Sequence, residues 1–186
     1  MLFRSTGDIH TANQLASGVD TRSQAKTFIY AFLYGAGDAK IGSIVGGTAR
    51  DGRRLKEKFL SNTPSLRSLR ERVGVSASRG YVFGLDRRRV YVRSEHSALN
   101  TLLQSAGAIV MKKALCLLDE YASAWNIDYK FIGNIHDEIQ TEVKEHEAEV
   151  FGRLAVSCIE AAGTYYKLNC PLAGEYQVGD NWSETH

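Results

Sequence analysis

Apolar residues recur along this 186-residue chain at two periods, and the switch between them predicts its elements. Through residues 22–34, 38–45, 48–60 and 65–78 they return every three or four positions, as on a helix with one buried face. The punctuation agrees: Gly35-Ala36-Gly37 stops the first helix, Gly46-Gly47 closes the second, and Asn62-Thr63-Pro64 resets the chain before the fourth. A shorter helical piece within residues 1–21 is opened by Thr6-Gly7-Asp8. At Tyr81-Val82-Phe83 the pattern tightens to strand alternation. A turn at Gly84-Leu85-Asp86-Arg87 and the return at Val90-Tyr91-Val92 predict a hairpin over 81–93. The helical period resumes over 94–125, behind Ser94 as cap. Strands flanking His136-Asp137-Glu138 predict a second hairpin over 129–144. Phe151, Leu154, Ala155, Cys158, Ile159 and Ala162 mark a helix over 146–167. Residues 176–182 are expected to form one last strand.

This order, helices first and then hairpins flanked by helices, predicts an α+β protein divided near residue 80. Composition adds little: 44% hydrophobic and 24% charged residues exclude wholesale disorder. The net charge of +2 does not demand a polyanionic partner, but its distribution is uneven. Arg50, Arg53, Arg54, Lys56, Lys58, Arg67, Arg70, Arg72, Arg79, Arg87, Arg88, Arg89 and Arg93 crowd the middle, which suits a phosphate backbone as well as a solvated face. Cys116, Cys158 and Cys170 form no close pair and have no zinc-ligand spacing. With no secretory start and no apolar run of membrane length, a soluble cytoplasmic protein without a membrane partner is expected.

Three constellations carry chemistry. In the first, Arg22, Lys26, Tyr30 and Tyr34 follow at intervals of four, a drift of roughly 40° per step, so they form one slanted stripe. Two cations a turn apart with tyrosines beyond them suit a triphosphate with its sugar and base; an ordinary amphipathic helix meets the same spacing. In the second, apolar strands present His136-Asp137-Glu138 at a hairpin tip, where a carboxylate can reach a hard cation. The tripeptide also resembles the HD phosphohydrolase pair, but His10, His96, His146 and His186 do not supply the further ligands that chemistry needs. In the third, His96, Asn100, Gln104, Gly107 and Met111 fall on a stripe roughly 80° wide at 100° per residue. Ala98, Leu99, Leu102, Leu103, Ala106, Ile109 and Val110 lie opposite, as core. Amide donors beside a glycine suit the minor-groove acceptors common to every base pair, and equally a solvated amide face.

The run from Arg22 through Tyr34-Gly35, continued by Gly37-Asp38-Ala39-Lys40-Ile41-Gly42, resembles motif B of family A DNA polymerases. Gly7-Asp8-Ile9-His10-Thr11 resembles the segment before that helix in the replicative polymerases of short-tailed phages. Ile135-His136-Asp137-Glu138-Ile139-Gln140 resembles motif C of the family, where single-subunit RNA polymerases usually carry Ser in place of Glu138. Asn100-Thr101-Leu102-Leu103-Gln104-Ser105-Ala106-Gly107 resembles the family's minor-groove-checking segment, and Gly179-Asp180-Asn181-Trp182 through His186 its phage-type ending.

That resemblance implies a mostly helical fingers subdomain over 1–80, with the dNTP-binding helix at 22–35. It implies a partial antiparallel palm sheet with flanking helices over 81–186. It further implies template-directed DNA synthesis: His10, Arg22 and Lys26 on the triphosphate, Tyr30 against the sugar, and Tyr34 gating the insertion site. His96, Asn100, Gln104 and Arg93 would contact DNA. Asp137 would ligate metal, with Glu138, His136 and Lys26 completing the catalytic set. The cofactor implied is Mg2+ in a pair of sites about 3.5–4 Å apart. One aspartate does not hold two ions, and the family's first catalytic aspartate lies on a strand upstream of Gly7. Neither Asp8 nor Asp20 matches it. A companion N-terminal chain supplying that strand is therefore expected, with primer–template DNA and dNTP as the other partners, in the cytoplasm of an infected host. The alternative is an inactive remnant that at most binds DNA or nucleotide.

Overall fold

In the computed structural model residues 8–185 are described; Thr6, Gly7 and His186, named above, lie outside them. The fold is α+β, and it divides into two compact units, the first ending at Leu103 and the second beginning at Gln104.

In the first unit Asp8 caps α1 (Ile9–Ser17), and a reciprocal Thr21/Gln24 capping box opens α2 (Arg22–Leu33). Three short-linked helices follow, α3 (Asp38–Ser43), α4 (Ala49–Asn62) and α5 (Pro64–Ala77). The hairpin of β1 (Tyr81–Phe83) and β2 (Arg89–Tyr91) pairs Val82 with Val90. Phe28, Phe32 and Phe59 form the heart of the core, with near-perpendicular ring pairs at 5.2 Å (Phe28–Phe59) and 5.3 Å (Phe32–Phe59). Ile41, Val73, Val82, Ala98 and Leu99 close it. Helices α3 and α4 cross backbone to backbone: a methyl on Gly52 would stand 1.9 Å from the Asp38 carbonyl oxygen. Lys56 ties the crossing, donating to the Ala36 carbonyl (2.6 Å) and the Asp38 carboxylate (2.9 Å).

The long helix α6 (Ala98–Ala124) starts later than expected. A 3-10 turn, Glu95–Ser97, precedes it, and the Ser94 hydroxyl meets that of Ser97 (3.2 Å) rather than capping the helix. Its buried face also rotates. Ala98 and Leu99 pack in the first core, whereas Met111, Ala114, Leu118 and Ala122 are buried further along. At 100° per residue, the direction that carries Asn100 and Gln104 early in the helix becomes the buried direction a few turns later. Met111 is therefore buried although it shares the polar stripe, and Leu103, expected in the core, is exposed. By length and composition the stretch Glu95–Ala124 could cross a membrane. It carries Lys112 and Lys113 in its middle, and 28% of its most apolar window is buried within the protein.

In the second unit β3 (Tyr129–Ile135) and β4 (Glu138–Val143) pair antiparallel with a bulge between Phe131 and Gly133. Tyr129, Phe131, Ile139 and Val143 pack on Leu118, Ala122, Phe151 and Leu154, the last two from α7 (Glu145–Tyr165). The opposite side carries Ile132, 65% exposed.

The expected terminal strand is absent. Residues 166–181 instead run over α7 without ladder bonds, Leu172 against Gly163 and the Tyr176 ring against Gly152, and a 3-10 turn, Trp182–Glu184, ends the segment. A strand needs a sheet edge alongside it; a helix surface offers side-chain packing and no ladder.

Candidate functional site

Helix α2 is anchored through Ala25, Phe28 and Phe32, which turns Arg22, Lys26, Tyr30 and Tyr34 toward solvent. The two tyrosines are 50% and 61% exposed. The stripe inferred from spacing is thus one open face, with its cations near the helix N-terminus, where helical N–H groups also favour anions. Lys26 has no partner among the described residues. Arg22 does: its guanidinium reaches both oxygens of Asp8, at 2.8 and 3.2 Å. Asp8 also accepts from the Thr11 hydroxyl (2.7 Å) and the His10 amide (3.0 Å). These partners, Arg22 foremost and then Thr11, hold its carboxyl far below the usual range and raise the Arg22 pKa in return. The sequence placed Asp8 at the opening of a helix and excluded it as a stand-in catalytic carboxylate, but did not pair it with Arg22. Its role as cap was signalled by its place just before Ile9.

His10 lies on α1 with its ring 6.3 Å from that of Tyr30, tilted 55°. Its Nδ1 is buried and finds no hydrogen-bond partner among the described residues.

The far end of the stripe meets the start of the segment that carries His96, Asn100 and Gln104. Gly35 has φ +75°, and a methyl there would stand 2.2 Å from the His96 carbonyl oxygen. Both the left-handed backbone and the close approach require glycine. Tyr34 and His96 are thereby brought together within one unit. Arg93 and His96 are exposed, Asn100 is half-buried, and Gln104, the first residue of the second unit, is exposed. A methyl on Gly107 would meet nothing within 4 Å, so that side of α6 is open.

In the second unit Ile135 pairs with Glu138 across a two-residue turn of His136 and Asp137. His136 has φ +55°, a region that costs most residues strain, although His and Asn tolerate it better than others. Both turn residues are exposed, and Asp137 has no side-chain partner among the described residues. Glu138 is engaged: its Oε1 accepts from the Trp182 indole N–H (3.2 Å) and from the Gln140 amide. Trp182 carried no local signal for this contact, since its pattern was that of a strand.

The family model for DNA polymerase family A matches residues 1–184. The chain belongs to that family. It is 42% identical to the DNA-directed DNA polymerase of Escherichia phage Phieco32 over 97% of its own length and 30% of the relative's. The DNA-directed DNA polymerase of Escherichia phage T7 gives 42% identity over 97% of this chain and 29% of that protein. This family A chain thus spans about 30% of the length of these curated relatives. The fold is that of the POL domain of Pol1 from M. smegmatis, solved in complex with DNA primer-template and dNTP. It matches with a TM-score of 0.74 at 20% identity, over 83% of this chain and 31% of that one.

Family A polymerases generally use Mg2+. Among the described residues no three His, Cys, Asp or Glu side chains gather as a metal site. Asp137 stands alone at the turn, and Glu138 spends one oxygen on Trp182 and Gln140. The described residues do not gather the carboxylates that a two-ion site needs.

Proposed function

We propose that this chain is the nucleotide-gripping and DNA-checking part of a family A DNA polymerase, acting in template-directed transfer of a nucleotide from dNTP to a primer 3′-hydroxyl. The observation that carries the reading is the Gly35–His96 approach, which sets the end of the Arg22–Lys26–Tyr30–Tyr34 face beside the start of α6. A base held near Tyr34 would then lie next to the helix that inspects the newest base pair.

In this reading Lys26 and Arg22 neutralise the phosphates, Arg22 exchanging Asp8 for them. The His10 ring takes a further polar contact, and Tyr30 packs against the sugar. His96, Asn100, Gln104 and Arg93 offer donors to DNA, the amides to minor-groove acceptors that all base pairs share. Asp137, with His136 and Glu138 beside it, faces the primer end and supplies one carboxylate of the Mg2+ site; the second comes from a polypeptide segment outside these residues. The fingers correspond to residues 1–80 and the palm portion to 81–186. That functional boundary falls inside the first compact unit because Val82 and Leu99 pack on its core. The compartment proposed is the cytoplasm of an infected bacterium.

The test is primer extension by this chain mixed with a polypeptide carrying the preceding palm strand of the same polymerase. Extension by the mixture, lost with Asp137→Ala, supports the reading; a folded complex that does not extend sinks it. A nucleic-acid-binding remnant without activity would show only DNA binding that weakens steeply as salt rises.

A further inference from the structure

The segment after α7 leads to the catalytic turn by a defined route. The Tyr176 hydroxyl donates to Glu149 Oε2 (2.6 Å), and its ring sits where a methyl on Gly152 would be, 2.2 Å away. Beyond it, Glu184 gathers a compact turn, accepting from the Asp180 amide (3.0 Å) and the Asn181 side chain (2.6 Å). Gly179 permits the fit, since a methyl there would come within 2.7 Å of the Glu184 Cβ. That turn presents two side chains to β4. The Trp182 indole N–H donates to Glu138 Oε1 (3.2 Å), and the Thr185 hydroxyl donates to Gln140 Oε1 (3.4 Å), while the Gln140 amide donates to the same Glu138 oxygen. Glu138, Gln140, Trp182 and Thr185 thus form one polar network directly behind His136-Asp137.

We propose that Trp182 is a positioning residue: its indole N–H fixes the Glu138 carboxylate and, through it, the His136-Asp137 turn. The reasons are physical. A two-residue turn whose first residue is His at positive φ is not self-enforcing and needs outside support to hold one shape. A two-stranded sheet supplies little of it. A donor fixed by its own caged turn holds one carboxylate oxygen at a defined place. Glu138 therefore enters a catalytic set with a single orientation. The proposal rests on the polymerase reading for its purpose, but the contact itself is testable in this chain alone.

The experiment is indole and amide NMR on the full chain, with Trp125 as internal reference; Trp125 is 59% exposed and its indole N–H has no partner among the described residues. Glu138→Ala should shift the Trp182 indole signal and speed its exchange with solvent to that of Trp125, while Trp125 stays put. Glu138→Gln, which keeps an acceptor oxygen, should restore most of the protection. Trp182→Phe should move the amide signals of residues 136–138 and leave α2 unchanged. If Glu138→Ala leaves the Trp182 indole where it was, the proposal is overturned, and primer extension can still succeed. Should Trp182→Phe disturb the whole chain, the Ala-against-Gln comparison at Glu138 still decides: equal indole signals in the two variants overturn the proposal.

Discussion

The two candidate faces are held in opposite ways. The α2 stripe rides on a helix whose other side is sealed by Phe28, Phe32 and Phe59, buried in an aromatic cluster. Each ring fully buried is worth about 1.5–3 kcal/mol. The His136-Asp137-Glu138 turn sits at the end of a two-stranded sheet and is steadied by hydrogen bonds to the C-terminal segment, each worth about 0.5–1.5 kcal/mol. The α2 face is thus pre-built from its own unit. The carboxylate face is open, with Ile132 and Ile135 uncovered beside it. The cationic stripe is held by its own core, whereas the carboxylate tip depends on a few hydrogen bonds.

The largest effect expected is from Phe28→Ala, which should cost about 3–5 kcal/mol of stability by cavity formation. It should melt the first unit in thermal unfolding while the second unit's amide signals persist longer; simultaneous loss of both would break the contrast. Gly35→Ala comes next, at about 2–3 kcal/mol, because it combines a positive φ with a steric clash on the His96 carbonyl. Chemical denaturation measures it, and a change below about 0.5 kcal/mol would mean that Gly35 has neither the positive φ nor the close approach to the His96 carbonyl. His136→Gly should be neutral or stabilise the hairpin by up to about 1 kcal/mol, since glycine relieves the positive φ. Any clear loss would mean the His136 side chain holds the turn.

The smallest effect is electrostatic. Asp8 has a folded pKa below its unfolded value, so its contribution is complete above the ordinary Asp range and is lost only as pH falls through the depressed value. Carboxyl NMR should find Asp8 still ionised at pH values where an ordinary Asp is protonated, and Arg22→Ala should return its titration toward the ordinary range. An Asp8 that titrates normally in the unaltered chain would remove the clamp from the account.

Much of this was legible before the fold. The period of α2 sorted Phe28 and Phe32 inward and Arg22, Lys26, Tyr30 and Tyr34 outward. The flanking apolar runs placed His136-Asp137 between two strands. What local patterning missed depends on distant partners. Met111 and Leu103 exchanged places because α6 changes its buried side partway along, which one helical wheel does not express. The tail alternates like a strand, yet it found a helix beneath it rather than an edge. Asp8 was a cap by local rule, but its grip on Arg22 joins residues fourteen apart.

The central proposal is that the α2 stripe takes up the phosphates of a dNTP. Amide NMR of residues 22–34 during titration with dNTP, with the companion polypeptide and primer–template DNA present, tests it within the first unit. The account predicts shifts along Arg22, Lys26, Tyr30 and Tyr34, and a titration weakened about tenfold or more by Lys26→Ala. Signals over 22–34 that ignore dNTP would contradict it.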